Sequence, residues 1–148
     1  MEGSVSDQRA LVDVRVLLLD SPAVLMIQRA DALFPGYWNL PGGHVHAGED
    51  ALTAAVRELR EEVGVLAARS DLRFVGVSHY RPPTRSEKIS FTFAARQWAG
   101  EPKIVEHDRF SAASWFSSAQ PPSLIMPQAA EAIRLFRSGD QFSIYGLG

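Results

Sequence analysis

The chain contains no cysteine among its 148 residues. This absence excludes a disulfide framework and a thiol nucleophile. The sequence also lacks any apolar run close to the roughly 20 residues that a membrane-spanning helix needs. Residues 1–8 are polar and have no apolar signal-peptide core. We therefore expect a cytoplasmic protein with no membrane partner.

An excess of positive charge is also missing. Fifteen basic residues stand against seventeen acidic ones, which gives a net charge of −2. A balance of this kind provides no broad basic surface for duplex nucleic acid. Free nucleotides remain compatible with it, because a metal ion can supply local positive charge. With 46% hydrophobic residues, we expect one domain over residues 1–148, with residues 1–8 as a disordered tail.

The best-marked element is a helix from about residue 50 to residue 63. Asp50 suits the positive end of the helix dipole, and Gly64 stands where a left-handed cap is expected. Between them, apolar residues recur with the spacing of one buried helical stripe. They are Leu52, Ala55, Val56, Leu59 and Val63. The sequence therefore indicates both ends of the helix and its buried face.

Three glutamates share one face of this helix. Glu58, Glu61 and Glu62 stand at positions i, i+3 and i+4. Like charges at this spacing destabilise a helix by roughly 0.2 to 0.5 kcal/mol per pair. A divalent cation would remove that repulsion, and carboxylate oxygens suit Mg²⁺ or Mn²⁺ better than zinc. We therefore expect a Mg²⁺ or Mn²⁺ site on this helix.

The remaining elements follow from hydrophobic patterning and turn residues. β-branched and aromatic content predicts strands at 11–19, 23–28, 37–40, 73–80, 89–98 and 113–116. A second helix is predicted over 127–137, with Pro127 in its first turn and Gly139 beyond its end. This order of strands and helices fits an α/β protein with a mixed sheet between helices.

The segment around the glutamates resembles the complete signature of the Nudix hydrolases of the MutT-like kind. Its fixed positions are Gly43, Glu49, Arg57-Glu58-Leu59, Glu61-Glu62 and Gly64-Val65. The resemblance implies the Nudix fold, a mixed β-sheet sandwiched between α-helices (α/β/α). It also implies Mg²⁺-dependent hydrolysis, in which water cuts the pyrophosphate bond of a nucleoside diphosphate derivative.

The resemblance assigns a role to each matching polar side chain. It implies that Glu58, Glu61 and Glu62 bind the metal, and that Glu58 also orients or deprotonates the attacking water. It implies that Arg57 orients the carboxylates through ion pairs and that Glu49 supports the metal shell. Without the resemblance, these five side chains would be a solvated acidic helix face with ordinary surface charges.

Four further residues are candidates on the same grounds. The resemblance implies that the carbonyl of Gly43 binds metal and that Glu106 adds a carboxylate from a loop; a plain turn and a surface acid are the alternatives. Asn39 resembles a residue that contacts the base in the oxidised-purine branch of the family. Trp38 beside it is either a second substrate contact or a core residue.

The substrate is less well indicated than the reaction. In the family, a proline beyond the signature hints at ADP-ribose and a tyrosine there hints at dinucleoside polyphosphates; Pro82 and Tyr80 both stand in that region, so the hints cancel. The short chain and the Gly-Glu-Pro before Glu106 favour (deoxy)nucleoside triphosphates, including oxidised ones, cut to the monophosphate and pyrophosphate. The alternatives are an ADP-ribose or nucleotide-sugar pyrophosphatase and a non-catalytic Nudix-fold ligand-binding module, and a homodimer stays open.

Overall fold

The structure is a computed structural model that describes residues 9–83 and 86–147. The tail expected at residues 1–8 lies outside the described residues. Along the described chain the elements are β1 (Leu11–Asp20), β2 (Ala23–Arg29), β3 (Trp38–Asn39), β4 (Gly42–His44), α1 (Ala51–Val63), a 3-10 turn (Arg69–Asp71), β5 (Arg73–Tyr80), β6 (Lys88–Ala95), β7 (Phe110–Ser117), α2 (Pro127–Ser138) and β8 (Phe142–Tyr145).

The strands form one mixed sheet. Its order is β3-β2-β1-β6-β5-β8, with β4 paired to β1 and β7 paired to β2. β1 runs parallel to β6, and β5 runs antiparallel to β6 and parallel to β8. β1 is thus the strand that joins the two halves of the sheet, because β2, β4 and β6 all pair with it.

Alternate residues of β1 point to opposite faces of the sheet, as in any strand. Val14, Val16 and Leu18 pack in one hydrophobic cluster with the apolar face of α1. Leu17 and Leu19 pack in a second cluster with α2. The two helices therefore cover opposite faces, which confirms the α/β/α sandwich. Among the described residues, no helix has the length and hydropathy needed to cross a membrane.

Both predicted ends of α1 are confirmed. The side chain of Asp50 accepts a hydrogen bond from the Thr53 N–H at 2.8 Å, as an N-cap residue does. Gly64 has φ 70°, a left-handed conformation in which a Cβ would be strained, and its N–H donates to the Arg60 carbonyl. The caps and the buried stripe together fix which side of α1 faces solvent.

Some element boundaries differ from the prediction. β4 and β8 were not predicted, because the first is mostly glycine and the second is short and half-exposed. β6 ends at Ala95 rather than at residue 98, since the chain leaves the sheet there and Ala99 pairs instead with Leu66 just beyond α1. This second pairing brings the segment after β6 back to the C-terminal end of α1.

Candidate active site

Two adjacent glycines bring β4 against the carboxylates of α1. A Cβ on Gly42 would overlap the Val14 carbonyl and lie 2.7 Å from Arg15 Nη1. A Cβ on Gly43 would lie 2.7 Å from the carboxyl carbon of Glu58 and closer still to its Oε1. Glycine is therefore required at position 42 for β4 to pair with β1, and at position 43 it leaves room for the Glu58 carboxylate.

Glu62 is the most deeply buried carboxylate of the site. Its exposed fraction is 1%, and its Oε1 accepts a hydrogen bond from the Gly42 N–H at 2.8 Å. Burial raises the pKa of Glu62 to about 8, because the charged form loses water, while this backbone hydrogen bond acts in the opposite direction. A negative charge on this side chain therefore needs a cation nearby.

Glu58 lies one turn earlier on the same helix and is also buried. Burial raises its pKa above the ordinary value, and the neighbouring Arg57 partly offsets that effect. Glu61 differs from both, since its side chain is 45% exposed. The three glutamates share one side of α1, as predicted, but they form a gradient from the interior to the solvent.

Arg57 organises the acidic side chains around it by donating five hydrogen bonds. Two reach the Glu49 carboxylate, at 2.7 and 2.9 Å, in a fork-like pair. The others reach Glu58 Oε1 at 2.9 Å, Glu61 Oε2 at 3.2 Å and the His44 carbonyl at 3.0 Å. These contacts join Arg57 to three carboxylates and to the backbone ahead of α1.

Glu49 links the loop before α1 to this arginine. Its Oε1 also accepts a hydrogen bond from the His46 N–H at 3.0 Å. The Arg57 hydrogen bonds, with that backbone bond, lower the pKa of Glu49 to about 2. Glu49 therefore stays ionised around neutral pH, and its two oxygens hold Arg57 in position.

The loop after β6 folds over the C-terminal end of α1. The Lys103 N–H donates to the Val63 carbonyl at 3.0 Å, and the Val105 N–H donates to the Glu62 carbonyl at 3.1 Å. Glu106 follows directly and pairs with Arg109 at 3.0 Å. The other terminal nitrogen of Arg109 lies 3.9 Å from Glu62 Oε2. Glu106 is thus connected to the signature glutamates through an arginine that was not among the predicted site residues.

The donor set is chemically suited to Mg²⁺ or Mn²⁺. It consists of carboxylates, two of them buried, beside the backbone of a glycine strand, and hard oxygen donors of this kind are what these ions bind. Within residues 9–83 and 86–147, no three His, Cys, Asp or Glu side chains converge as a closed metal cluster. Arg57 and Arg109 pair with the acidic side chains in this arrangement. The residues fit the ion, with the two arginines as their present partners.

The predicted substrate contacts lie on β3. The Asn39 side-chain oxygen accepts a hydrogen bond from the Leu40 N–H at 2.9 Å. Trp38 packs edge-to-face on Phe116, with ring centroids 4.8 Å apart, and borders the α2 cluster. Trp38 is therefore placed as part of the core, while the amide nitrogen of Asn39 carries no hydrogen bond among those the structure describes.

A buried polar layer on the α2 side of the sheet was missed from the sequence. Asp13 is fully buried, and its Oδ2 accepts a hydrogen bond from the Tyr80 hydroxyl at 3.2 Å. Arg15 Nη2 lies 3.6 Å from the same oxygen. Tyr80 stacks on Tyr145 at 4.7 Å. The Tyr80 hydroxyl thus donates its hydrogen bond to a buried carboxylate. The signal in the sequence was the pair of charges at alternate positions of an otherwise apolar strand.

Comparisons with known proteins agree with this geometry. Residues 10–136 match the family model of the NUDIX domain. A Bacillus subtilis strain 168 protein with the provisional name 8-oxo-dGTP diphosphatase is 32% identical over 126 residues, which cover 85% of this chain and 78% of that protein. Phosphatase NudJ of Escherichia coli strain K12 is 30% identical over 114 residues, which cover 75% of this chain and 73% of that protein. The crystal structure of a MutT NUDIX hydrolase from Burkholderia pseudomallei matches with a TM-score of 0.79 and 26% identity. The match covers 86% of this chain and 98% of that one.

Proposed function

The chain belongs to the Nudix hydrolase family, and on that premise we propose that it hydrolyses (deoxy)nucleoside triphosphates, oxidised ones included, to the monophosphate and pyrophosphate. Family membership makes it an enzyme, a nucleotide pyrophosphohydrolase acting on phosphorus-containing acid anhydrides. What we propose beyond family membership is the substrate class, triphosphates, and the cofactor, Mg²⁺.

The observation that carries the proposal is the intact acidic network around Arg57. Glu58 and Glu61 both accept hydrogen bonds from Arg57, and Glu62 is held by the Gly42 N–H. A chain that only bound a nucleotide would have no use for three carboxylates held beside a glycine strand, since they repel phosphate. The network therefore supports hydrolysis rather than mere binding.

In the proposed site, Glu58, Glu61, Glu62, Glu106 and the carbonyl of Gly43 hold Mg²⁺ or Mn²⁺. The bound ion supplies positive charge for the phosphate oxygens and lowers the pKa of water. The protein groups position the reaction. Arg57 fixes the orientation of Glu58, and Glu58 orients or deprotonates the water that attacks the phosphoanhydride bond.

One of the relatives supports triphosphates over the alternatives. The Bacillus subtilis relative is named for a purine triphosphate substrate, while the Escherichia coli relative is named a phosphatase without a substrate. ADP-ribose and nucleotide sugars contain the same pyrophosphate linkage and could enter the same chemistry. They are therefore compared directly with triphosphates in the test.

The test is a substrate screen with the purified protein in Mg²⁺. It includes the ordinary triphosphates, 8-oxo-dGTP, ADP-ribose, a nucleotide sugar and a dinucleoside polyphosphate, with products separated by anion-exchange chromatography. We expect kcat/KM to be highest for a triphosphate. A higher kcat/KM for ADP-ribose or the nucleotide sugar would overturn the proposed substrate, and equal rates in the Glu58→Gln variant would overturn the proposed site.

A further inference from the structure

Arg109 lies at the solvent side of the carboxylates, between two of them. Its Nη1 is 3.0 Å from Glu106 Oε1, and its Nη2 is 3.9 Å from Glu62 Oε2. The second distance exceeds a hydrogen bond but lies within the range of strong charge attraction. Arg109 is therefore a positive charge shared by a loop carboxylate and the most deeply buried carboxylate of the site.

The backbone of Arg109 is fixed, while its guanidinium is accessible. The N–H groups of Arg109 and Phe110 both donate to the Glu106 carbonyl, at 3.1 and 3.0 Å, and the Arg109 carbonyl accepts from the Ala30 N–H at 2.9 Å. The guanidinium lies over the Phe110 ring at 5.1 Å. The side chain is nonetheless 55% exposed. The backbone of Arg109 is therefore held by the fold, and its guanidinium can change partners.

The other arginine of the site differs in both respects. Arg57 is only 14% exposed and donates five hydrogen bonds, so moving it would break several contacts at once. Within the part of the chain that the structure describes, Arg109 makes one side-chain hydrogen bond, and its charge is one of those that oppose the rise in the pKa of Glu62 caused by burial. Arg57 is built as a fixed positioning residue, and Arg109 is built as an exchangeable cation.

We propose that Arg109 is the counter-ion of Glu62 and Glu106 in the metal-free protein. A divalent cation takes these carboxylates from it, and the released guanidinium then binds a phosphate of the substrate. The carboxylate oxygens that face Arg109 cannot pair fully with a guanidinium and with a metal ion at once. A guanidinium matches a phosphate through paired hydrogen bonds. The metal step rests on the metal site of the proposed function, and the last step rests on its substrate class.

The first test is a Mn²⁺ titration without nucleotide. The electron paramagnetic resonance signal of free Mn²⁺ measures how much of the ion is bound. Removing a unit charge about 4 Å from the ligands in a well-hydrated setting should tighten binding roughly fivefold. Arg109→Gln should therefore bind Mn²⁺ more tightly than the parent, and Arg109→Lys should stay close to it. Equal or weaker binding by Arg109→Gln would overturn the proposal.

Arg134 provides a matched control on α2. It is also a half-exposed arginine that pairs with two acids, Glu131 at 2.6 Å and Asp140 at 3.4 Å, away from the carboxylate site. Arg134→Gln should leave Mn²⁺ affinity unchanged. A gain in Mn²⁺ affinity equal to that of Arg109→Gln would mean that overall charge, rather than the position of Arg109, controls the affinity, and would overturn the proposal.

The second test is calorimetric binding of inorganic pyrophosphate in saturating Mg²⁺. Charge-assisted hydrogen bonds contribute about 1.5 to 3 kcal/mol each, so Arg109→Gln should weaken pyrophosphate binding roughly tenfold or more, with partial rescue in Arg109→Lys. Unchanged pyrophosphate affinity would overturn the phosphate-binding step. Neither test requires turnover, so a protein that hydrolyses no triphosphate but shows both effects would contradict the proposed function and leave this inference standing.

Discussion

Replacing Gly43 by alanine should damage catalysis while sparing the fold. The new Cβ would stand 2.7 Å from the carboxyl carbon of Glu58, and ordinary van der Waals contact begins at 3.4 Å. The Glu58 carboxylate must therefore retreat by at least about 0.7 Å, because its Oε1 lies closer still to the new Cβ. Displacing a catalytic group by about 1 Å costs up to 10²-fold in rate. We expect kcat to fall roughly 10- to 100-fold.

Stability should change little, because the atom displaced is the end of a flexible side chain. Overpacking costs typically about 1 to 3 kcal/mol, and a Gly→Ala change recovers about 0.4 to 1 kcal/mol through the unfolded chain. Because only a flexible side-chain end has to move, the low end of the overpacking range applies, and we expect the free energy of unfolding to fall by no more than about 1 kcal/mol, or about 2 to 4 °C in Tm for a domain of this size. Steady-state kinetics and thermal denaturation on the same preparation measure the two effects.

Two other glycines serve as controls. Gly42→Ala would drive a Cβ into the Val14 carbonyl, which is backbone and cannot move aside, so this variant should lose stability as well as activity. In Gly139→Ala the new Cβ meets no atom of the described, non-adjacent residues within 4 Å, and the variant carries only the strain of φ 80°. It should retain turnover. Normal kcat in Gly43→Ala, or a loss of stability equal to that of Gly42→Ala, would refute the reasoning.

Three further predictions test the site and the helix that carries it. Glu58→Gln and Glu62→Gln should each lower kcat by roughly 10² or more, with Tm in EDTA unchanged or higher because burial disfavours the ionisation of both carboxyl groups and an amide carries no such penalty; early melting would mark these residues as structural. Glu106→Gln should lower kcat and weaken the metal dependence, whereas Glu101→Gln, an exposed acid earlier in the loop, should do neither; equal mild effects would make Glu106 a solvated loop acid. Asp50→Ala should lower the free energy of unfolding by about 1 kcal/mol in urea with kcat intact, and an unchanged unfolding midpoint would contradict its capping role.

The features that could be predicted from the sequence are local ones. α1 is marked by an N-cap aspartate, a C-terminal glycine and an apolar stripe, all within one short segment. Strand β5 was predicted with its observed limits because its aromatic and β-branched residues stand between turn residues. The signature glutamates follow from the same segment, since helical spacing alone puts Glu58 and Glu62 on one side.

The features that were missed depend on contacts between distant segments. β4 consists of Gly42, Gly43 and His44, which have no hydrophobic pattern, and it is a strand only because β1 supplies its hydrogen bonds. Arg109 reaches Glu62 only because the loop after β6 returns to α1. No periodicity in the sequence records such a return.

The central claim is that the carboxylates of α1 direct water to the pyrophosphate bond of a nucleoside triphosphate with a divalent cation present. The most direct measurement is ³¹P NMR of the products formed from the best triphosphate in the screen, with the parent protein and with Glu58→Gln. We predict monophosphate and pyrophosphate signals from the parent in Mg²⁺, none after EDTA, and a severely slowed appearance with Glu58→Gln. Diphosphate and orthophosphate as the first products, or full activity in EDTA, would contradict the claim.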